Sequence, residues 1–173
     1  RDVLRHADLD LILLAGRYTL ADQSALPELL PECARRGVAI VLGGPFNSGI
    51  LAGGSRPADG SAPYFNYAPA PATVVERVAA IERVCAQFAV PLAAAALQFP
   101  LGHPAVTCVL AGARSAAEFD ANLRLARQPI SRAFWQALRD GRAIDAQAPL
   151  PGESAPSPEQ RVVAPHPKGE GAP

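Results

Sequence analysis

Three short apolar runs, each followed by a helical pattern, predict an α/β protein with a parallel sheet. Residues 9–14 (LDLILL), 38–42 (VAIVL) and 106–111 (VTCVLA) are almost unbroken apolar stretches, the pattern of strands covered by helices on both faces. The second and third runs end in glycine-containing corners, GGPFNSG from Gly43 and GARS from Gly112. Such corners expose backbone N–H groups at the carboxyl end of a strand, where α/β proteins build anion sites. Two phosphate-capable corners suggest one dinucleotide.

Along the chain, Ser24 is placed to cap a helix in which Leu26, Leu29, Leu30 and Cys33 recur at helical spacing, with Gly37 at the left-handed C-cap position. Pro31 is awkward inside that helix and predicts a kink or a later start. Strand, helix and second strand then form one right-handed crossover unit. Residues 52–72 are a Gly/Pro/Ser-rich loop containing Tyr64, Phe65 and Tyr67, long enough to expect a lid or rim. Thr73 and Glu76 have capping-box spacing and open a helix over 73–89, with Val74, Val78, Ile81, Val84, Cys85 and Phe88 down one face. Pro91 starts another helix reaching about Leu101. After the third strand, Ser115 with Glu118 opens a helix to about Ala126, and Ser131 caps a last one through Trp135 and Leu138. From Ala148 onward, prolines at 149, 151, 156, 158, 165 and 167 leave few apolar residues to favour ordering. The expected division is therefore a folded region, 1–147, and a disordered Pro-rich tail, 148–173.

Composition excludes several classes. Sixteen basic and sixteen acidic side chains leave no net charge, which removes the electrostatic reason for a nucleic-acid or anionic-membrane partner. Cys33, Cys85 and Cys108 are widely spaced, without a Cys-x-x-Cys pair or nearby histidines. Neither a disulfide framework nor a metal site is indicated, and a reduced, cytoplasmic setting fits. No apolar run approaches the ~20 residues of a membrane span. The chain has no methionine and begins with Arg1, so it is expected to be a piece of something longer, or one that has lost its start by processing. Three parallel strands also cannot close a barrel or protect both sheet edges, which leaves self-association through those edges open.

Catalytic chemistry is sparse. The sole lysine is Lys168, in the expected tail, and His6, His103 and His166 are isolated; His103 reads as a loop or helix-end residue before Pro104. No catalytic residue is assigned. What remains is binding chemistry: Gly43 and Gly44 permit close backbone approach, Pro45 fixes the turn, and Asn47 and Ser48 add donors. The same residues equally suit a Gly-Pro turn that merely closes a strand. At the second corner Gly112, Ala113, Arg114 and Ser115 precede a helix whose free N–H groups favour a phosphate, although Ser115 and Glu118 also suit simple capping. Tyr18, just past the first strand, is either a functional group at the strand ends or an aromatic packed over them.

The segments LLAGRYTLADQSAL, VLGGPFNSGIL, YFNYAPAPATVVERV and VPLAAAALQFPLGHPAVTCVLAGARSAAEFDANL resemble the carboxyl-terminal half of an aldo-keto reductase. Within that family they are most similar to the subgroup of sugar 1-dehydrogenases acting on D-threo-aldoses or L-fucose. The resemblance covers about residues 8–127. It implies a partial (β/α)8 TIM barrel whose three strands look like the sixth, seventh and eighth, with a nicotinamide dinucleotide, NAD or NADP, across their carboxyl ends. The loop after the seventh strand then contacts the pyrophosphate, transferring that role to Gly44, Pro45, Phe46, Asn47, Ser48 and Gly49. The turn and helix after the eighth hold the adenosine end, which falls to Gly112, Ala113, Arg114, Ser115, Glu118 and Asn122. Tyr18, Tyr64 and Tyr67 would rim the sugar site.

Departures from the family pattern are informative too. Gly43 stands where a tyrosine commonly stacks on the nicotinamide, and Ala15 where an amide side chain commonly recognises its carboxamide; Tyr18 or Phe46 would have to substitute. Gly112 and Glu118 stand where many relatives carry a lysine or arginine facing the 2′-phosphate, which favours NAD. The family's catalytic Asp, Tyr, Lys and His belong to the amino-terminal half. The implied activity is oxidation of a sugar at its anomeric carbon, hydride passing to the nicotinamide, with this chain supplying the cofactor half. The alternative is a non-catalytic nucleotide-binding or regulatory barrel-like module, or an inactive gene remnant.

Overall fold

A computed structural model describes residues 2–153. A short helix, α1 (Asp2–His6), which the sequence pattern did not reveal, leads into β1 (Leu11–Ala15), α2 (Leu29–Arg36) and β2 (Ala39–Gly43). The chain continues through α3 (Ile50–Gly53), the two-residue strands β3 (Tyr64–Phe65) and β4 (Ala68–Pro69), α4 (Ala72–Gln87) and α5 (Leu92–Gln98). It ends with β5 (Val106–Leu110), α6 (Ala116–Arg127) and α7 (Arg132–Asp140). β1, β2 and β5 form one parallel sheet in that order, an unclosed section of barrel, and β3 pairs antiparallel with β4.

The strands fall where the apolar runs put them, but one expectation fails. The runs read as strands buried on both faces, whereas Leu11 and Leu13 of β1 and Thr107, Cys108 and Leu110 of β5 are exposed, while Ile12 and Leu14 turn toward the helices. Among the described residues only one face of the sheet is covered, that turned toward the helices.

Helix starts move for reasons of proline geometry. The helix expected from Ser24 begins at Leu29, so Ser24 does not cap it; its N–H instead bonds the Asp22 carboxylate at 2.9 Å. Pro31 thereby falls in the first turn, where a missing N–H costs no helical bond. Gly37 closes the helix at φ 72°, as expected. α4 starts at Ala72 with Pro71 before it and no side-chain cap, so the Thr73–Glu76 capping box does not form; the Pro71 carbonyl accepts from Val74 and Val75 instead. Ser115 and Ser131 do cap, accepting the N–H of Glu118 and Phe134.

The core lies between the sheet and its helices. Ile40 and Leu42 from β2 belong to the same buried cluster as Val78 and Ile81 of α4 and Ala95 and Ala96 of α5, and Tyr18, Phe99, Phe134 and Trp135 form a fully buried aromatic group. Neighbouring ring centroids in it lie 4.9–6.5 Å apart, within the range of favourable aromatic pairs. The packed chain does not stop at residue 147. Ala148 and Leu150 are fully buried, Arg139 donates to the Ala148 carbonyl and to Glu153, and the backbone of residues 149–151 lies directly against Gly102. The expected tail boundary at 148 is therefore too early, since two apolar side chains and one arginine suffice to hold this strap. Residues 154–173 of that tail lie outside the described residues.

Candidate functional site

Because β2 and β5 are adjacent and parallel, the two glycine corners leave the same end of the sheet. Gly43 is level with Leu110 and with Ala15 in register, so the loops following all three strands share one shelf. Neighbouring strands run about 4.8 Å apart, which puts both corners within reach of one extended ligand.

The first corner is a run of left-handed backbone: Gly44 (φ 63°), Asn47 (45°), Ser48 (60°) and Gly49 (108°). Two of its N–H groups close the turn on itself, Asn47 donating to the Gly44 carbonyl at 3.1 Å and Gly49 to the Phe46 carbonyl at 3.0 Å. Gly44, Ser48 and Gly49 are exposed, Phe46 is half-buried and Pro45 is buried. Asn47 is buried, and its side chain points inward rather than to the shelf: Nδ2 donates to the Gly16 carbonyl at 3.0 Å, and Oδ1 accepts from the Thr19 hydroxyl. Asn47 thus ties the loop after β2 to the loop after β1. Thr19 and Gly16 are its partners, neither of which stood out in the sequence; the signal was the αL-tolerant Asn directly after a Gly-Gly-Pro-Phe turn. Ser48 also reaches across, its Oγ accepting the Tyr67 N–H at 2.9 Å. This bond seats the β3–β4 hairpin on the corner. The hairpin tip is Asn66–Tyr67, both residues at positive φ, as a two-residue turn of this kind requires.

At the second corner Gly112, Ala113, Arg114 and Ser115 are exposed. Glu118 folds back over them: its carboxylate accepts from the Arg114 N–H at 2.7 Å and from the Arg114 guanidinium at 2.8 Å. Those bonds hold the Glu118 carboxyl below its ordinary range. Asn122 donates to the Gly112 carbonyl at 3.3 Å. The side chains at this corner brace the turn, leaving backbone and the α6 N-terminus facing outward.

Of the three tyrosines expected at a rim, Tyr64 and Tyr67 are exposed, Tyr67 almost completely. Tyr18 is not: it is fully buried, packed on Phe99 at 5.2 Å and edge-on to His103 at 5.5 Å. Burial, with the nearby Asp145 charge second, raises its phenol well above the usual range. It packs in the interior and does not line a rim, so it cannot stand in for the aromatic missing at Gly43. His103 sits at the other end of β5 from the corner. It is buried, its Nδ1 accepts the Ala105 N–H at 3.1 Å, and desolvation lowers it to about 4; it closes a turn as a neutral ring. Grooves of about 400, 440 and 510 Å³ occur elsewhere on the surface, and no cofactor candidate lines any of them. The shelf is open.

Residues 1–141 match the profile of the aldo/keto reductase family. Among curated proteins, the chain is 47% identical over 139 residues to a pyridoxal 4-dehydrogenase from Microbacterium luteolum, covering 80% of this chain and 40% of that protein. It is 40% identical over 141 residues to a D-threo-aldose 1-dehydrogenase from Pseudomonas sp, covering 82% and 42%. The chain thus spans less than half the length of these relatives. Among solved structures it is similar to an aldo-keto reductase from Bacillus halodurans in holo and apo forms, with TM-scores of 0.58 and 0.57 at 24% identity. Those matches cover 81% of this chain and 45% and 46% of theirs, a likeness of fold. No single described helix is long and apolar enough to cross a membrane.

Proposed function

Because the chain belongs to the aldo/keto reductase family, we propose that it provides the coenzyme-binding part of a nicotinamide-dependent oxidoreductase of the aldose 1-dehydrogenase type. The observation that carries this reading is the shared shelf: two exposed glycine corners at the same end of adjacent parallel strands. The residues fit such a group through backbone rather than side chains. Gly44, Ser48 and Gly49 would hold the pyrophosphate, and Gly112, Ala113, Arg114 and the amino end of α6 the adenosine end, while Asn47, Glu118 and Asn122 keep the two turns in shape. Tyr64 and Tyr67 flank the shelf from the hairpin. When bound, the nicotinamide supplies hydride-transfer chemistry. No residue of this chain is assigned an acid-base role, since residues 2–153 lack lysine and His103 is buried and neutral.

Glu118 supports a preference for NAD. Its carboxylate engages Arg114 at this corner, and a negative charge beside a 2′-phosphate would disfavour NADP. Calorimetric titration of the chain with NAD and NADP tests both points. Binding of NAD ahead of NADP is expected, with the gap narrowing in Glu118→Ala. No binding of either coenzyme overturns the first claim, and a tenfold NADP preference overturns the second.

The substrate has two readings. The aldose reading follows the subgroup resemblance and the Pseudomonas relative, whereas the higher identity to the Microbacterium protein favours pyridoxal. Comparing oxidation of L-fucose and pyridoxal by a complete enzyme carrying this half separates them. All three cysteines are unpaired, which supports a reducing, cytoplasmic setting.

A further inference from the structure

A groove of about 510 Å³ runs between the loop after β1, the β3–β4 hairpin, α4 and the segment after α7, a volume ordinary for a small-molecule site. Two guanidiniums line it, Arg77 from α4 and Arg142 from just beyond α7. Arg77 is held at the wall by its Nη1, which donates to the Ala21 carbonyl at 2.9 Å, and it forms no ion pair among the described residues. The Arg142 side chain has neither a hydrogen bond nor an ion pair among them.

The backbone at Arg142 is strained. It stands at φ 54°, directly after the helix cap Gly141, in a left-handed position where glycine is the usual residue. Its N–H and that of Ala143 return to the carbonyls of Arg139 and Leu138, so the turn requires the left-handed conformation but not an arginine. Strain of this kind gathers at ligand sites. Both carboxylates that line the groove are already engaged: Asp22 pairs with Arg17 at 3.0 Å and accepts the Ser24 N–H at 2.9 Å, and Asp145 accepts the Gln147 N–H at 2.8 Å. The half-buried Phe65 and Val74 add an apolar wall. The walls are also tied to one another without an occupant, because Gln23 accepts the Asp145 N–H at 2.7 Å and donates to the Thr19 and Leu20 carbonyls at 3.1 Å. Such preorganisation removes part of the ordering cost of binding.

We propose that this groove binds a small organic phosphate monoester, the phosphate engaging Arg77 and Arg142 and the apolar body resting on Phe65 and Val74. Charge and shape select this ligand. A monoester carries close to two negative charges near neutral pH and three free oxygens, enough for two forked guanidiniums, whereas a carboxylate brings one charge and two oxygens. Inorganic phosphate would satisfy the arginines and leave the apolar wall without a partner. The groove is separate from the glycine corners, and the inference does not rest on coenzyme binding.

Calorimetric titration of the full 173-residue chain with phenyl phosphate, inorganic phosphate and benzoate tests it, with no coenzyme present. Phenyl phosphate should bind at least about tenfold tighter than either of the others, since each lacks one half of the match. Arg142→Gly is the decisive variant, because glycine suits φ 54° and the chain should keep its circular dichroism. It should weaken phenyl phosphate binding at least about tenfold, the loss expected for one charged hydrogen bond. Arg77→Lys, which keeps the charge without the fork, should weaken it by a smaller factor. Phenyl phosphate held at the glycine corners instead would ignore Arg142→Gly. Unchanged binding in that variant, no binding to the unaltered chain, or benzoate or inorganic phosphate binding as tightly as phenyl phosphate would each overturn the proposal. A chain that binds phenyl phosphate through Arg142 but neither NAD nor NADP would sink the coenzyme reading alone.

Discussion

Replacing Asn47 by alanine tests whether the two loops are held together as the geometry indicates. The substitution leaves the Gly16 carbonyl and the Thr19 hydroxyl without their buried partner, and an orphaned buried group costs about 1–3 kcal/mol. The Thr19 share sits at the low end, because its hydroxyl still accepts from Ala21 and Asp22 and has the Asp22 carbonyl at 3.5 Å as a second acceptor. Asn47 also holds φ 45°, where an alanine is strained by about 1 kcal/mol relative to glycine. Together these predict a loss of about 3 kcal/mol, a large fraction of a typical domain's stability. Urea denaturation followed by far-ultraviolet circular dichroism measures it, and Asn47→Gly serves as the internal control. Glycine removes the same hydrogen bonds without the backbone strain, so it should be about 1 kcal/mol less destabilised than alanine. A loss below about 1 kcal/mol in the alanine variant would refute the bridging role, and alanine proving as stable as glycine would refute the backbone strain at this position.

Gly102→Ala should destabilise the chain by about 1–3 kcal/mol, the usual range for overpacking, because a Cβ there would lie 2.6 Å from the Pro149 carbonyl and 2.8 Å from the Pro151 nitrogen. Limited proteolysis should then cut within residues 148–153, and an unchanged digest would contradict the strap. His103 is lowered to about 4 by burial from an ordinary 6.5, so the unfolded chain binds the extra proton between those values. Its stabilising contribution is complete above pH 6.5 and declines as pH falls toward 4; a ring resonance titrating near 6.5 in the folded chain would contradict this. Glu32 is lowered from 4.5 to about 2, chiefly by hydrogen bonds from Arg35 and then Arg36. Its contribution is therefore complete above pH 4.5 and lost as pH falls toward 2, and Glu32→Gln should flatten that limb of an acid titration only slightly, since the pair is solvent-screened.

The strands were legible because a run such as AIVLG is apolar in any context, and the two serine caps because a hydroxyl three residues before a free N–H is a local device. Helix starts were less so. Ser24 and Thr73 both have cap chemistry, but prolines at 27 and 31 and at 69 and 71 decide where the backbone can enter a helix, and that choice involves the neighbouring loops. The burial of Ala148 and Leu150 was hidden for a different reason: two apolar residues among prolines look like tail composition until Gly102 and Arg139 are brought beside them by the fold.

At the site, the backbone features could be read and the side-chain roles could not. A Gly-Gly-Pro turn after an apolar run predicts left-handed peptides at the end of a strand whatever surrounds it, and the structure puts them there. Asn47 looked like a ligand donor because asparagine has two polar atoms to offer, yet both face Gly16 and Thr19, more than twenty-five residues earlier in the chain. Glu118 and Asn122 likewise bond within their own turn. On the proposed coenzyme reading, what the shelf offers is therefore mainly peptide backbone, and side-chain truncations at Asn47, Glu118 and Asn122 would act on it through the shape of the loops. Shape changes of that kind should alter stability and coenzyme affinity together, whereas a lost direct contact alters affinity alone.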